Sequence, residues 1–339
     1  MPAGGTFGKL KVYVSGDNIK LGTITDPVSN ILWKFSDGDT HDSNTQVNHT
    51  FSPDNQPNNY ATAKLEVILV NLTATGTEMT GITMTGKWTN LNYLKLSVNH
   101  ELEVIPTFPT WTSLVHFEFQ TCDLSEIETH PEWVALEEFW GFAQLGTNGT
   151  KLTSLKTWPS WAAIRDMRFN ANKITTVDTH PWSTIERLDF FTNDITEFET
   201  HPEWVALKRL YVNSNDVALT TINTYDTWIN VEDIAINING ITSFTAYDTW
   251  TKLHTIYANQ NNLSTFVIHP ENPIKNCFLY TNNLDATTLD AALIALDGNG
   301  VSNGTMTYAN NPGSADINRS ASANTAITNL LGKGWAVVR

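Results

Sequence analysis

Between Leu91 and Leu284 the chain writes one spacing of apolar residues nine times, L-x-x-L-x-L-x-x-N-x-L. The first apolar positions are Leu91, Leu114, Leu136, Ile164, Ile185, Leu207, Val231, Leu253 and Ile274, separated by 23, 22, 28, 21, 22, 24, 22 and 21 residues. The copies Ile164-x-x-Met167-x-Phe169-x-x-Asn172-x-Ile174, Ile185-x-x-Leu188-x-Phe190-x-x-Asn193-x-Ile195 and Val231-x-x-Ile234-x-Ile236-x-x-Asn239-x-Ile241 run without a break. A unit this short cannot bury its own apolar face. It becomes stable only when neighbouring copies stack in register and share one core.

That phrase and period resemble the leucine-rich repeat. The resemblance implies a mainly β fold, with the repeats coiled into a solenoid whose short strands form one parallel sheet. Counting from the first apolar residue, positions +3 and +5 point inward with it. The strand is expected from +2 to about +6. We place the repeat region at 76–284. A small α/β cap at 285–339 is read from the helical spacing of Leu289–Leu296, the strand-like Met306-x-Tyr308, a helix over 323–331 and a closing strand at 334–338. At the other end, Ile82 and Met84 are expected to form a capping strand over the first repeat.

Residues 1–75 differ in texture. Short β-rich runs (11–14, 31–35 and 63–70) alternate with Gly-, Asp- and Asn-rich turns, the pattern of a small β-sandwich. The phrase Trp33-Lys34-Phe35-Ser36-Asp37-Gly38-Asp39, followed by Asn48-His49-Thr50-Phe51, resembles the W-x-F-G-D-G turn and later H-T-Y of PKD-type immunoglobulin-like domains. Ser36 stands where that family usually has Gly, and Phe51 where it has Tyr. Asp37, Asp39 and Asp42 lack the spacing of a calcium loop, and Asp-Gly is itself a turn signal.

Three columns are assigned to structure. Position +8 holds Asn99, Cys122, Gln144, Asn172, Asn193, Asn215, Asn239, Asn261 and Asn282, amides suited to bonding the backbone of adjoining loops. Three residues before each of the first eight of these apolar positions stands Trp88, Trp111, Trp133, Trp161, Trp182, Trp204, Trp228 or Trp250. So regular a series implies a buried spine. Ahead of these lie His130, His180, His201 and His269, with Tyr225 and Tyr247 in related places. Because Tyr, Phe108 and Trp158 replace His there, the column packs a turn and is no zinc site, which needs convergent ligands. Cys122 and Cys277 are read as buried thiols, too few for a disulfide framework.

The scaffold does not dictate the outward positions, taken here as +4 and +6. The candidate binding residues are Trp140, Phe142, Arg168, Asn170, Asp189, Phe191, Tyr211, Asn213, Asn237, Tyr257, Asn259, Phe278 and Tyr280. Rings beside amides and carboxylates suit sugar rings or a protein surface. Cover by the N-terminal domain, or contact between copies, is the competing account. The third repeat is longer than its neighbours and carries Gly146-Thr147-Asn148-Gly149-Thr150, expected to protrude.

The function classes narrow further. Against 35 Asp and Glu stand 20 Lys and Arg, a formal charge of −15 that repels phosphate backbones, so nucleic acid is not an expected partner. No run of 18 apolar residues is present, so no membrane insertion is expected. Met1–Gly5 lacks the basic-then-apolar pattern of a secretory leader. No nucleophile elbow, H-E-x-x-H or phosphate loop occurs, so no enzyme and no cofactor are expected. The ending, from Ala292 through Asn303-Gly304-Thr305 to Trp335-Ala336-Val337-Val338, resembles the ends of repeat proteins from phages and environmental bacteria. It implies a virion surface protein (head decoration, fibre or tail component) that docks on other virion proteins through its N-terminal domain and shows its repeat face to a host glycan or protein. A secreted or cell-surface bacterial adhesin and an intracellular interaction protein are the alternatives.

Overall fold

The structure, a computed structural model, describes strands between residues 8 and 85, and the chain from 91 to 339 except 100–101, 143–151, 216–217 and 316–318. Two compact units divide it, Met1–Ile174 and Thr175–Arg339.

In the first unit the strands are β1 Gly8–Val14, β2 Asn18–Leu21, β3 Leu32–Phe35, β4 Thr40–Asp42, β5 Val47–Thr50, β6 Tyr60–Leu65, β7 Asn71–Thr73, β8 Met79–Thr85, β9 Tyr93–Lys95, β10 His116–Glu118, β11 Glu138–Trp140, β12 Ser154–Leu155 and β13 Asp166–Arg168. An antiparallel sheet runs in the order β4-β3-β6-β1-β8, and β2 pairs antiparallel with β5. The Asp37–Asp39 turn and the Gly146–Thr150 loop lie outside the described residues, as do Trp88 and Gln144. The capping strand differs from expectation. Ile82 and Met84 belong to β8, opposite Val12 and Leu10 of β1. β7 instead runs parallel to β9, setting Leu72 beside Leu94. In the sequence, Leu69-x-x-Leu72 carries the spacing of the first two apolar places of the phrase.

The parallel ladder then follows the repeat: Leu94 lies beside Phe117, Phe117 beside Phe139 and Phe139 beside Met167, all fully buried. The second unit repeats it over β14 Thr176–Val177, β15 Arg187–Asp189, β16 Arg209–Tyr211, β17 Asp233–Ala235, β18 Ser243–Thr245, β19 Thr255–Tyr257, β20 Thr265–Val267, β21 Asn276–Phe278, β22 Thr305–Thr307 and β23 Ala336–Val338. There Leu188, Leu210, Ile234, Ile256, Cys277, Met306 and Val337 stand in one row. Two helices, α1 Ala286–Gly298 and α2 Ala321–Gly332, flank β22 in the chain, capped by Asp285 and Ser320, whose side chains accept from Thr288 N and Ala323 N. Beneath them Arg319, fully buried, donates to Asp290 at 2.6 Å and lies over the Tyr308 ring. In each unit the parallel strands have the architecture of a leucine-rich-repeat solenoid.

Each regular strand covers only +2 to +4, shorter than the sequence pattern indicates. Bonding between repeats continues through the +5 and +7 amides, as from Val212 N to Ala235 O at 2.9 Å and Ser214 N to Asn237 O at 2.8 Å. What ends the strand is a left-handed residue at +7. Val98, Thr121, Ala171, Thr192, Ser214, Ile238, Gln260 and Thr281 all have φ between 56° and 59°. None is glycine. The turn then delivers the +8 amide inward. Asn239 Nδ2 donates to Ile236 O of its own repeat at 2.8 Å and to Val212 O of the preceding one at 3.0 Å. Asn215, Asn261, Asn282 and Asn311 repeat this double reach. Cys122 keeps one donor, Sγ to Leu96 O at 2.9 Å.

The tryptophans form the spine. Trp111 stacks on Trp133 at 5.7 Å and Trp133 on Trp161 at 6.1 Å, while in the second unit Trp204, Trp228 and Trp250 stack at 5.9 and 5.8 Å. Full burial of one such ring contributes about 5 kcal/mol of transfer free energy. For Trp133, Trp161, Trp204, Trp228 and Trp250 the backbone of the Phe/His/Tyr column supplies the indole N–H with an acceptor, as in Trp228 Nε1 to His201 O at 2.8 Å and Trp250 Nε1 to Tyr225 O at 2.9 Å, whereas Trp111 Nε1 bonds to none of the described residues. The ninth repeat has no tryptophan. Asn272, fully buried, takes over the indole's bond, Nδ2 to Tyr247 O at 2.7 Å. The histidines themselves pack edge-on to the tryptophans, His130 on Trp133 at 5.3 Å and His201 on Trp204 at 5.4 Å. Their Nε2 atoms meet Thr107 and Thr179 hydroxyls. Cys122 and Cys277 are buried, and burial pushes the pKa of both thiols up to about 12.

Candidate functional site

Because +3 points inward, +2 and +4 must both stand on the outer face of each three-residue strand. The sequence reading named +4 and +6 and passed over +2. It therefore missed Tyr93, His116, Glu138, Asp166, Arg187, Arg209, Asp233, Thr255 and Asn276. Simple alternation about the inward +3 residue is the signal that finds them. Position +6 falls beyond the strand, where the chain already turns toward the left-handed residue. There Asn213 Nδ2 bonds Ser214 Oγ at 3.3 Å and Asn259 Nδ2 bonds Gln260 Oε1 at 3.2 Å. Phe142, Asn170, Phe191, Asn237 and Tyr280 share that row and are half-buried.

In the first unit the outer face is a closed network. The Tyr93 ring lies flat on His116 at 4.3 Å, and His116 meets the face of Trp140 at 4.7 Å and 80°. His116 Nδ1 is 2.6 Å from Glu138 and its Nε2 is 3.2 Å from Glu118. Glu118, 1% exposed, also accepts from Lys95 at 2.8 Å, from Ser97 at 2.9 Å and from Gln120. Burial works to raise its pKa, but the bonds from His116, Lys95 and Ser97 outweigh it and hold the group at about 2. Such a carboxylate stays ionised near neutrality and offers no proton to a substrate. Arg168 lies over Trp140 at 4.3 Å and forks onto Asp166 at 2.8 and 2.6 Å.

The second unit has a charged end and an aromatic end. Arg187 forks onto Asp189, with Nη2 at 2.7 Å from Oδ2, and its guanidinium lies over the Tyr211 ring at 5.6 Å. Asp189, expected outside, is 3% exposed, because that fork and its neighbours enclose it. Asn259, also expected outside, is 4% exposed where the chain turns in. Arg209 reaches Asp233 at 3.3 Å and Glu232 at 3.7 Å. Burial raises the Tyr211 pKa, and the Asp233 charge raises it further. On the next strands Ala235 separates Tyr211 from Tyr257, and Tyr257 stacks on Phe278 at 4.9 Å with parallel planes. Tyr257 is 41% exposed. Among the described residues no three His, Cys, Asp or Glu side chains gather as metal ligands, and no helix is long and apolar enough to cross a membrane.

No protein-family model and no curated protein matches the chain. Among solved structures it is similar to YopM from Yersinia enterocolitica WA-314, at 18% identity and a TM-score of 0.48, over 67% of this chain and 44% of that one. It is also similar to an internalin (inlF) from Listeria monocytogenes, at 14% identity and a TM-score of 0.44, over 79% of this chain and 86% of that one. A third is the functional domain of InlJ from the same organism, at 18% identity and a TM-score of 0.37, over 74% of this chain and 70% of that one. The chain thus spans less than half the length of the YopM structure.

Proposed function

We propose that this chain is a non-enzymatic recognition protein that binds a partner through the outer face of its parallel sheet. One observation carries the reading: the exposed Tyr257 ring, stacked on Phe278 and held in register by buried strands. Burying that pair would strengthen the fold, so its place at the surface calls for a partner. The partner is a surface glycan or protein of a host. The setting is a virion surface, or else a bacterial cell surface or the secreted fraction, and it rests on the resemblance of the chain's ending alone. Residues 1–75, as a PKD-like domain, would dock the repeats on other virion proteins.

The test is a glycan array together with host-cell binding, comparing the chain with its Tyr257→Ala, Phe278→Ala variant. Loss of binding with unchanged thermal unfolding supports the proposal, and full retention refutes it. Immunolabelling of intact particles and of cells distinguishes the settings.

A further inference from the structure

Two arginines of the outer face, Arg168 and Arg187, are held in the same way. On β13, Arg168 at +4 stacks on the Trp140 ring of the adjoining strand and is forked by Asp166 two residues before it. On β15, Arg187 is forked by Asp189 two residues after it and lies over Tyr211 of the adjoining strand. Each guanidinium thus has a ring of the adjoining strand for its face and a carboxylate of its own strand for its edge.

β17 has the same surroundings without the arginine. Asp233 occupies the +2 place of Asp166, and Ala235 stands at the +4 place of Arg168. The rings on either side are Tyr211 and Tyr257, both at +4. Their outer faces are already covered, Tyr211 by the Arg187 guanidinium and Tyr257 by Phe278. Arg187 and Phe278 belong to the strands on the far sides, so the uncovered face of each ring lies on the Ala235 side. Rings on strands two apart stand roughly 9.6 Å from each other, and Ala235 is only 7% exposed, so the space is narrow. A flat group fits such a space better than a puckered sugar ring. Arg209 does not fill it, being turned toward Glu232 and one oxygen of Asp233. Among the described residues Asp233 Oδ1 takes no other bond.

We propose that the Tyr211–Ala235–Tyr257 slot receives an arginine side chain from a partner protein, its guanidinium lying between the two rings and its edge on Asp233. This deepens the recognition reading above and rests on it. The formal charge of −15 favours a basic partner over long range. Asp233 then sets the position, and the rings select guanidinium over ammonium because only the planar cation can stack on both.

The full chain, with its tyrosine rings isotopically labelled, is titrated with Nα-acetyl-arginine methylamide, with the lysine counterpart and with maltohexaose, following the ring resonances by NMR. Arginine should shift Tyr211 and Tyr257 saturably, at an affinity on the order of millimolar, and lysine at least about tenfold more weakly. Ala235→Arg supplies the missing side chain in cis. It should abolish the arginine response and raise the unfolding temperature. Equal responses to arginine and lysine, no response at these two rings, or a lowered unfolding temperature for Ala235→Arg would overturn the slot. Shifts with the saccharide but not with arginine would end this inference and leave the recognition reading standing. Host binding unaffected by Tyr257→Ala, Phe278→Ala would remove that reading itself.

Discussion

Removing the Asn239 amide tests how the column at +8 holds neighbouring turns together. Its Nδ2 donates to Val212 O and Ile236 O, and its Oδ1 accepts from Asn215 N at 2.9 Å. The two carbonyls are served twice: Val212 O also accepts from Asn215 Nδ2 at 2.7 Å, and Ile236 O from Asn261 Nδ2 at 2.9 Å. Asn239→Ala therefore leaves each carbonyl one donor and strands only the Asn215 N–H. An orphaned buried donor costs about 1–3 kcal/mol, and each weakened carbonyl about 0.5 kcal/mol more. The single variant should thus lose about 2–4 kcal/mol. Asn215→Ala should cost about the same, because Val212 O then keeps Asn239. In the double variant Val212 O loses both donors, so the loss should exceed the sum of the singles by about 1–3 kcal/mol. Urea unfolding of the four proteins measures this coupling. Hydrogen exchange at the Asn215 amide, faster in Asn239→Ala, locates it. Additivity within about 0.5 kcal/mol would refute the shared-acceptor account.

Two further outcomes are expected. Glu118, at about 2 in the folded chain against an ordinary 4.5, adds stability that is complete above pH ~4.5 and is lost as pH falls toward 2. The difference amounts to about 3 kcal/mol, and acid titration of unfolding should show it in the parent and not in Glu118→Gln. Ile238, 44% exposed with φ of 58°, bears the cost of a branched residue in the left-handed region. Ile238→Asn should stabilise by about 1 kcal/mol in urea unfolding, and an unchanged midpoint would contradict the strain.

The inner half of each repeat was legible in the chain because its partners are copies of itself. Leu94, Met167 and Ile234 each meet the same position one repeat away, so a spacing suffices to place them. Likewise the tryptophan spine and the asparagine column bond to neighbours at a constant offset, and even Cys122 fits by type. Position +7 left no such mark. Its left-handed backbone is filled by Val, Thr, Ala, Ser, Ile and Gln alike, with no glycine among them, so residue type gives no signal there. β7 was missed for a related reason: a single degenerate copy has no period of its own, and only pairing with β9 reveals it. The outer face lay furthest from view. Composition shows that Tyr211, Asp233 and Tyr257 are present, and alternation shows that they face outward. That Arg187 and Phe278 cover the two rings from the strands away from Ala235, leaving the Ala235 side of each uncovered, depends on rotamers. Those are set by packing between strands more than 20 residues apart in the chain.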